Sequence, residues 1–555
     1  MLLDGAEGLD HAALRAAFRW RIPQPFNIAS VCCDRHALAD PQRPALLGWR
    51  PEGGLAPTSF ATLKTGSERL GQALLARGIA AGDRVAILLP QSPETVIAHL
   101  AVYRIGAIAV PLAALFGADA LEHRLADSGA KAIVTDAAGL ARLRPILGRL
   151  PMLDRFLSVD GDDGAAEDLR RILATPTAPL ATLPSGPDDP ALMIYTSGTT
   201  GLAKGALHGH RVLAGHLPGF AFTHRGIGAA GDVMWTPADW AWAGGLLNAL
   251  LPALFFGVPV VHGPFARFDP EGAFRLMAEA RVSRAFLPPT ALRMMRAVDA
   301  PRRFALALGT VGAAGEALGA ETFEQASAAL GVPVDEFYGQ TECNYVLGSS
   351  AARGVSRPGA IGKALPGHEV VILDADGTPV PAGTPGEIAV RAPDPVMFLG
   401  YWNAPAATAA KFRGPFMLTG DQGVADADGY IRFLGRTDDV ITSAGYRIGP
   451  GEIEECLITH PAVALAAAVG KPDPLRTEIV KAYVVLKPGF APSEELAQAI
   501  RGHVRARLSA HEYPREIAFV DEMPLTTSGK VIRRIFRDRA AAEASAARPG
   551  GPPTV

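Results

Sequence analysis

Along residues 60–136 the apolar positions change period several times. Leu63, Leu70 and Leu74 fall at helical spacing. Val85–Leu89 is a short apolar run behind the turn Ala81-Gly82-Asp83. Thr95–Ile105 returns to helical spacing behind Pro93, and Ile108–Val110 and Ala132–Val134 are further short runs. Short apolar runs separated by helices predict βαβ units and a largely parallel sheet, with ligand loops at the carboxyl ends of the strands. Leu246–Val261, interrupted by Asn248, Pro252, Gly257 and Pro259, is too short and too broken to span a bilayer and reads as a buried helix followed by a buried strand.

The texture changes between Gly359 and Val390, where EVVILDADGTPVPAGTPGEIAV joins β-rich runs through Asp-Gly and Pro-Gly turns, and a second Asp-Gly turn stands at Asp428-Gly429. Both predict antiparallel hairpins. Beyond Arg436 a compact α/β unit of roughly 100 residues is expected. In it Pro450–Leu457 and Glu494–Leu508 are helical, and Ala464–Val469 and Lys481–Leu486 are strands. The last residues, AAAEASAARPGGPPTV, carry no core pattern and are expected to fray. The fold expected is α/β: a large N-terminal domain of parallel βα sheets with a β-rich hairpin subdomain (1–437), a small mobile α+β C-terminal domain (438–540) and a disordered tail (541–555).

Length and composition narrow the class. A chain of 555 residues exceeds what one core organises, and 48% hydrophobic with 20% charged residues is globular rather than disordered. A formal net charge of -3 offers no basic field for nucleic acid. The four cysteines, Cys32, Cys33, Cys343 and Cys456, show neither disulfide nor zinc spacing. The N-terminus lacks a signal-peptide core, so a reducing, cytoplasmic setting is expected.

The strongest local chemistry lies in Ile194-Tyr195-Thr196-Ser197-Gly198-Thr199-Thr200-Gly201-Leu202-Ala203-Lys204-Gly205, which follows the apolar run Ala191–Ile194. Glycines let backbone N–H groups approach a phosphate, hydroxyls donate to its oxygens, and Lys204 adds a positive charge. It is not a Walker A loop, because Lys204 precedes Gly205 and the glycine spacing differs.

This loop resembles the phosphate loop of the adenylate-forming enzymes, which include acyl-CoA synthetases, firefly-type luciferases and peptide-synthetase adenylation domains. Six further segments stand in the family's order: Ala314-Gly315-Glu316-Ala317, Tyr338-Gly339-Gln340-Thr341-Glu342, Thr419-Gly420-Asp421, Gly435-Arg436-Thr437-Asp438-Asp439, Gly445-Tyr446-Arg447 with Pro450–Glu454, and Pro524–Lys530. The resemblance runs from about residue 25 to 540. It implies that Thr196–Gly201 and Lys204 hold ATP phosphates, and that Gly315, Glu316 and Ala317 lie against adenine. Tyr338 and Gln340 flank the nucleotide, Thr341 bonds the α-phosphate, and Glu342 holds Mg²⁺. Read by its own chemistry, Tyr338–Glu342 offers an aromatic to stack on a base, a hydroxyl for phosphate and a carboxylate for a hard cation. Asp421 can accept two hydrogen bonds from a ribose diol, with Arg436 on the same sugar. By resemblance, Arg447 belongs near the phosphates, Asp438 is the hinge of the small domain, and Gly445 lines the thiol tunnel. Lys530, which alone would read as part of a basic surface patch with Arg533 and Arg534, becomes the catalytic lysine of adenylation.

The implied reaction is attack of a carboxylate on the α-phosphorus of ATP, with loss of pyrophosphate, then transfer of the acyl group from acyl-AMP to CoA. The segment Ala238-Asp239-Trp240-Ala241-Trp242 resembles part of the acyl pocket of acetyl- and medium-chain-type synthetases, placing Trp242, Ala243 and Gly244 at the acid. Acetate-specific members carry Trp where Gly339 stands. The glycine is therefore expected to open space for several methylenes, each worth roughly 0.8 kcal/mol when buried. A medium-chain, branched or aryl acid is expected over acetate, in the chemistry of fatty acid metabolism. A free-standing carrier protein is the alternative acceptor, since only residues 531–555 follow Lys530.

Overall fold

The computed structural model describes residues 8–161, 164, 166–196, 202–265, 267–437, 439–443, 446–473, 476–508, 513–526 and 530–546. Of the expected site residues, Ser197, Gly198, Thr199, Thr200, Gly201, Asp438 and Gly445 lie outside the described residues. Contacts divide the chain into two units. The first comprises residues 1–318, 322–370 and 390–417, and the second comprises 319–321, 371–389 and 418–555.

In the first unit the helix Phe60–Ala76 is capped by Ser59, whose hydroxyl accepts the Thr62 N–H, and it buries Leu63, Leu70 and Leu74. The helix expected over Thr95–Ile105 is Pro93–Arg104, with Ser92 as cap and Pro93 in its first turn. Strands Arg84–Leu88, Ile108–Pro111, Ala132–Thr135 and Arg155–Ser158 pair in parallel. Among the described residues they belong to an eight-stranded sheet whose other edge adds Pro190–Thr196, Lys204–Gly209 and Gly400–Tyr401. A nine-stranded sheet carries Thr310–Ala313, Val334–Gln340 and Cys343–Gly348. The interrupted run 246–261 becomes a helix, Leu246–Phe255, fully buried, and the strand Val260–His262. Such burial on all sides explains why the run has no amphipathic period.

In the second unit Phe416–Ala425 and Ile431–Arg436 form the expected hairpin around Asp428-Gly429, with Gly429 at φ +81°. The helix Pro450–Ile458, the antiparallel pair Val463–Asp473 and Thr477–Leu486, and the helix Glu494–Arg507 follow the sequence reading closely. Ile441, Ile453, Leu457, Val480, Val484, Ile500 and Val504 form its core.

The expected fraying from residue 541 is corrected. The helix Arg533–Ala546 runs through it, burying Phe536 and Ala540, and Glu543 pairs with Lys471 and Lys481. Alanine is the best helix former, so an Ala-rich run without periodicity still extends a helix whose preceding turns are docked.

Candidate active site

Two hairpins of the first unit carry the residues expected to meet the phosphates and the cation. In one, Pro190–Thr196 pairs antiparallel with Lys204–Gly209, and Thr196 stands opposite Lys204. The phosphate loop therefore leaves and re-enters one sheet at a single rung, which fixes where its ends lie. Gly205 is required there: a Cβ would sit 2.7 Å from the Met193 sulfur.

In the other hairpin, Gln340 pairs with Cys343, so Thr341 and Glu342 are the two residues of the turn. A hairpin tip presents both side chains beyond the sheet. Glu342 is nevertheless buried. Its Oε1 accepts the phenol O–H of Tyr401, and its carbonyl accepts the Phe398 N–H at 2.8 Å. Tyr401, missed in the sequence reading, also places its ring 5.3 Å from Lys204 Nζ, within cation–π range. Lys411 Nζ lies 3.4 Å from Gln340 Oε1 and is a second cation beside this motif that spacing did not reveal.

Mg²⁺ fits the donor set at Glu342. Magnesium is commonly held by one or two carboxylates, with substrate phosphates and water completing the octahedron. Glu342 supplies one buried carboxylate whose Oε2 accepts no hydrogen bond among the described residues. No group of three or more acidic, histidine or cysteine side chains that could hold a metal ion exists among the described residues.

Gly315, Glu316 and Ala317 follow the strand Thr310–Ala313, which runs parallel to Val334–Gln340, so they emerge beside Tyr338 at the carboxyl edge. Gly315 has φ +103° and open space at its Cβ direction. The Glu316 carboxylate is committed to partners within the protein. Thr290 donates its hydroxyl at 2.6 Å and Arg293 closes an ion pair on the other oxygen. What this segment can offer a base is therefore its backbone and the half-buried Tyr338.

The acyl segment follows. Trp235 and Trp240 are core residues, whereas Trp242 is half-buried, edge-on to Phe116 at 5.5 Å. A Cβ on Gly244 would lie 3.2 Å from the Phe286 ring, and Phe286, Phe337 and Tyr345 continue as an aromatic row. Ala243 and Gly244 open the helix that leads to Asn248, whose side-chain carbonyl accepts a buried hydrogen bond from Asn344 at 2.7 Å.

The expectation of space at Gly339 is corrected. A Cβ there would lie 2.4 Å from the Tyr345 nitrogen and 2.5 Å from Asn344 Cα. The pairing slips between Tyr338 and Gln340, and the bulge brings the facing strand against Gly339. The glycine is required by that close approach, and the room a missing indole would leave is filled by backbone.

The second unit holds the remaining residues. Asp421 is buried, directly opposite Arg436, with Nη1 3.4 Å from Oδ1. Thr419 fixes this stretch of the strand by donating to the Ile388 carbonyl at 2.6 Å and accepting the Asp421 N–H. Arg447 is placed by its backbone, opposite Thr442. Lys530 is exposed at one end of a closed loop. Its N–H donates to Thr526 Oγ1 at 3.0 Å, and its carbonyl accepts the Thr526 N–H at 2.7 Å. Behind it Arg533 bonds Glu454 and faces Asp439 at 3.6 Å, and Arg537 pairs with Asp439.

The hydroxyl- and lysine-bearing hairpin, the carboxylate at a hairpin tip, the Asp–Arg pair and the exposed lysine are each the kind of part expected of a nucleotide-dependent ligase. Comparison with known proteins agrees. The profile described as AMP-binding enzyme matches residues 33–402, and AMP-binding enzyme C-terminal domain matches 452–530. The chain is 33% identical over 509 residues to an uncharacterized acyl-CoA ligase, YtcI, of Bacillus subtilis (strain 168), covering 90% of this chain and 93% of that one. It is 33% identical over 534 residues to the human mitochondrial acyl-coenzyme A synthetase ACSM4, covering 93% and 91%. The crystal structure of the anthranilate CoA ligase AuaEII with anthranoyl-AMP superposes with a TM-score of 0.86 at 28% identity, covering 95% of this chain and 99% of that one.

The chain belongs to the AMP-binding, adenylate-forming enzyme family, as an acyl-CoA synthetase. It is an acid–thiol ligase, and a carboxylic acid, ATP and CoA are its substrates. No described helix is long and apolar enough to cross a membrane.

Proposed function

We propose that this synthetase activates a medium-chain, branched or aryl acid rather than acetate. The observation that carries the proposal is Trp242 edge-on to Phe116, with Gly244 bare against Phe286. Flat apolar walls suit an acyl group larger than methyl, since aromatic contact adds about 0.5–1.5 kcal/mol beyond area burial. The structural likeness to an anthranilate ligase supports the same reading.

In this reading the acid's carboxylate attacks the α-phosphorus, the bond to pyrophosphate breaks, and acyl-AMP forms. Thr196, Lys204 and the loop between them hold the phosphates, with Thr341 on the α-phosphate. Glu342 would hold Mg²⁺, which when bound would supply charge neutralisation at the phosphates. Lys530 stabilises the charge on the reacting oxygens, Asp421 and Arg436 hold the ribose, and Gly315–Ala317 with Tyr338 and Gln340 hold the base. A boundary at 437/438 with Asp438 as hinge lets the 438–540 domain withdraw Lys530 and bring Gly445 to the thiol path. Arg447 serves the phosphates before that movement. The CoA sulfur then attacks the acyl carbonyl and AMP leaves. Four buried, unbridged cysteines support a cytoplasmic setting.

The test is AMP release from ATP and Mg²⁺ over acids from acetate through octanoate to benzoate, with and without CoA. Turnover that needs CoA and a C4–C8 or aryl acid supports the proposal, whereas preference for acetate overturns it. Acid-dependent pyrophosphate exchange without CoA-dependent turnover would assign the acyl group to a carrier protein.

A further inference from the structure

The segment Met397–Trp402 is fastened to both phosphate-handling hairpins. At one end Met397 bridges to Cys343, and the Phe398 N–H donates to the Glu342 carbonyl at 2.8 Å. At the other end Gly400 and Tyr401 pair with Leu207 and Ala206, and the Trp402 N–H donates to the Gly205 carbonyl at 2.7 Å. The Tyr401 N–H is held by Thr408 Oγ1 at 2.8 Å, and its ring stands edge-on to Phe398 at 4.9 Å. Tyr401 therefore has little freedom of its own.

Its side chain faces the chemistry for a register reason. Tyr401 is opposite Ala206, and Lys204, two residues before Ala206, projects from the same face of its strand. The ring accordingly lies diagonal to Lys204, with its centroid 5.3 Å from Nζ, while the phenol O–H is spent on Glu342 Oε1. One side chain thus touches the residue expected to meet the phosphates and the residue expected to meet the cation. A donor on Oε1 turns the carboxylate so that Oε2 is presented for coordination. Partners of this kind behind a metal ligand typically govern its orientation and basicity.

We propose that Tyr401 is a positioning residue for nucleotide binding, orienting Glu342 for the cation that accompanies ATP and setting its distance from Lys204. This rests on the assignment of Glu342 and Lys204 made above. The test is a double-mutant cycle of Tyr401→Phe and Glu342→Gln on the full chain. ATP affinity is measured calorimetrically without acid substrate, once in Mg²⁺ and once in EDTA. Tyr401→Phe keeps the ring and deletes only the hydroxyl, and thermal melting checks the fold. The expected result is about a 10-fold loss of ATP affinity in Mg²⁺, none in EDTA, and no further loss when the change is made on Glu342→Gln. Equal losses in Mg²⁺ and EDTA, or an undiminished loss on the Glu342→Gln background, would overturn the proposal. If Glu342→Gln alone leaves the Mg²⁺-dependent affinity intact, the assignment of Glu342 fails. If it lowers that affinity and Tyr401→Phe does not, only the role of Tyr401 fails.

Discussion

Asp421 and Arg436 stand directly opposite one another on antiparallel strands, the guanidinium Nη1 3.4 Å from the carboxylate Oδ1. The pair is asymmetric: Asp421 is buried and Arg436 is more than a third exposed. Gly420, at φ +77° within the strand, sets the backbone that delivers the carboxylate, and a Cβ on it would already lie 3.3 Å from the guanidinium. A carboxylate can accept two hydrogen bonds from a ribose diol, and this one has a cation beside it. Replacing Asp421 by Asn removes the charge from those hydrogen bonds. Since a hydrogen bond to a charged group contributes about 1.5–3 kcal/mol, the KM for ATP should rise about 10–100-fold. The KM for the acid should hardly move, and steady-state kinetics with each substrate varied in turn separates the two.

Lys530 projects from a loop closed by two hydrogen bonds to Thr526. Its side chain is exposed, so Lys530→Ala should leave thermal stability close to that of the parent chain. Acyl-AMP formation should slow by about 10²–10³, the usual cost of removing one preorganised electrostatic group. Thiolysis of supplied acyl-AMP by CoA should be spared. Single-turnover measurement of each half-reaction checks this, and equal slowing of both would contradict the assignment.

Elements whose period is set by one face or by complete burial were legible in the sequence. The elements expected between Phe60 and Thr135, and the helices Pro450–Ile458 and Glu494–Arg507, fall within a residue or two of their expected limits, whereas the paired strands Val463–Asp473 and Thr477–Leu486 extend past the expected Val469 end and Lys481 start. Their apolar spacing and caps are local properties. The site was legible only as far as motifs name residues. Tyr401 bonds a residue 59 positions away through pairings that no local pattern encodes. The space expected at Gly339 depended on the path of the facing strand rather than on the glycine. The terminal helix was misread because its docking, Phe536 and Ala540 into the second unit's core, precedes and supports the Ala-rich run.

Gly339 and Gly244 accordingly make opposite predictions. Gly339→Ala drives a methyl into the Asn344–Tyr345 backbone, which cannot move aside as a side chain can. It should lower stability by about 1–3 kcal/mol, read as a shifted denaturation midpoint. Gly244→Ala meets only the Phe286 ring at 3.2 Å. It should fold normally and shift the ranking of acids toward shorter ones, because the added methyl takes up room beside that ring.

Acid should unfold the first unit early. Burial pushes His99, His208 and His224 down to about 3, and His210 and His216 down to about 4. His216 and Arg211 add to the effect on His208, and Arg284 adds to that on His224. These imidazoles stay neutral in the folded chain, while in the unfolded chain they bind protons below the ordinary histidine value of about 6.5. Stability is therefore fully present above that value and lost as pH falls below it, at about 1 kcal/mol per histidine between pH 7.5 and 5.5. Asp335, raised by burial to about 7, works in the opposite sense. It holds its proton in the folded chain and offsets about 2 kcal/mol over the same interval. Asp239, also raised by burial, shifts in the same direction as Asp335. The balance remains a net loss of a few kcal/mol on acidification. Urea midpoints measured across this range should fall steadily with pH, and a flat profile would show that the buried histidines are compensated elsewhere.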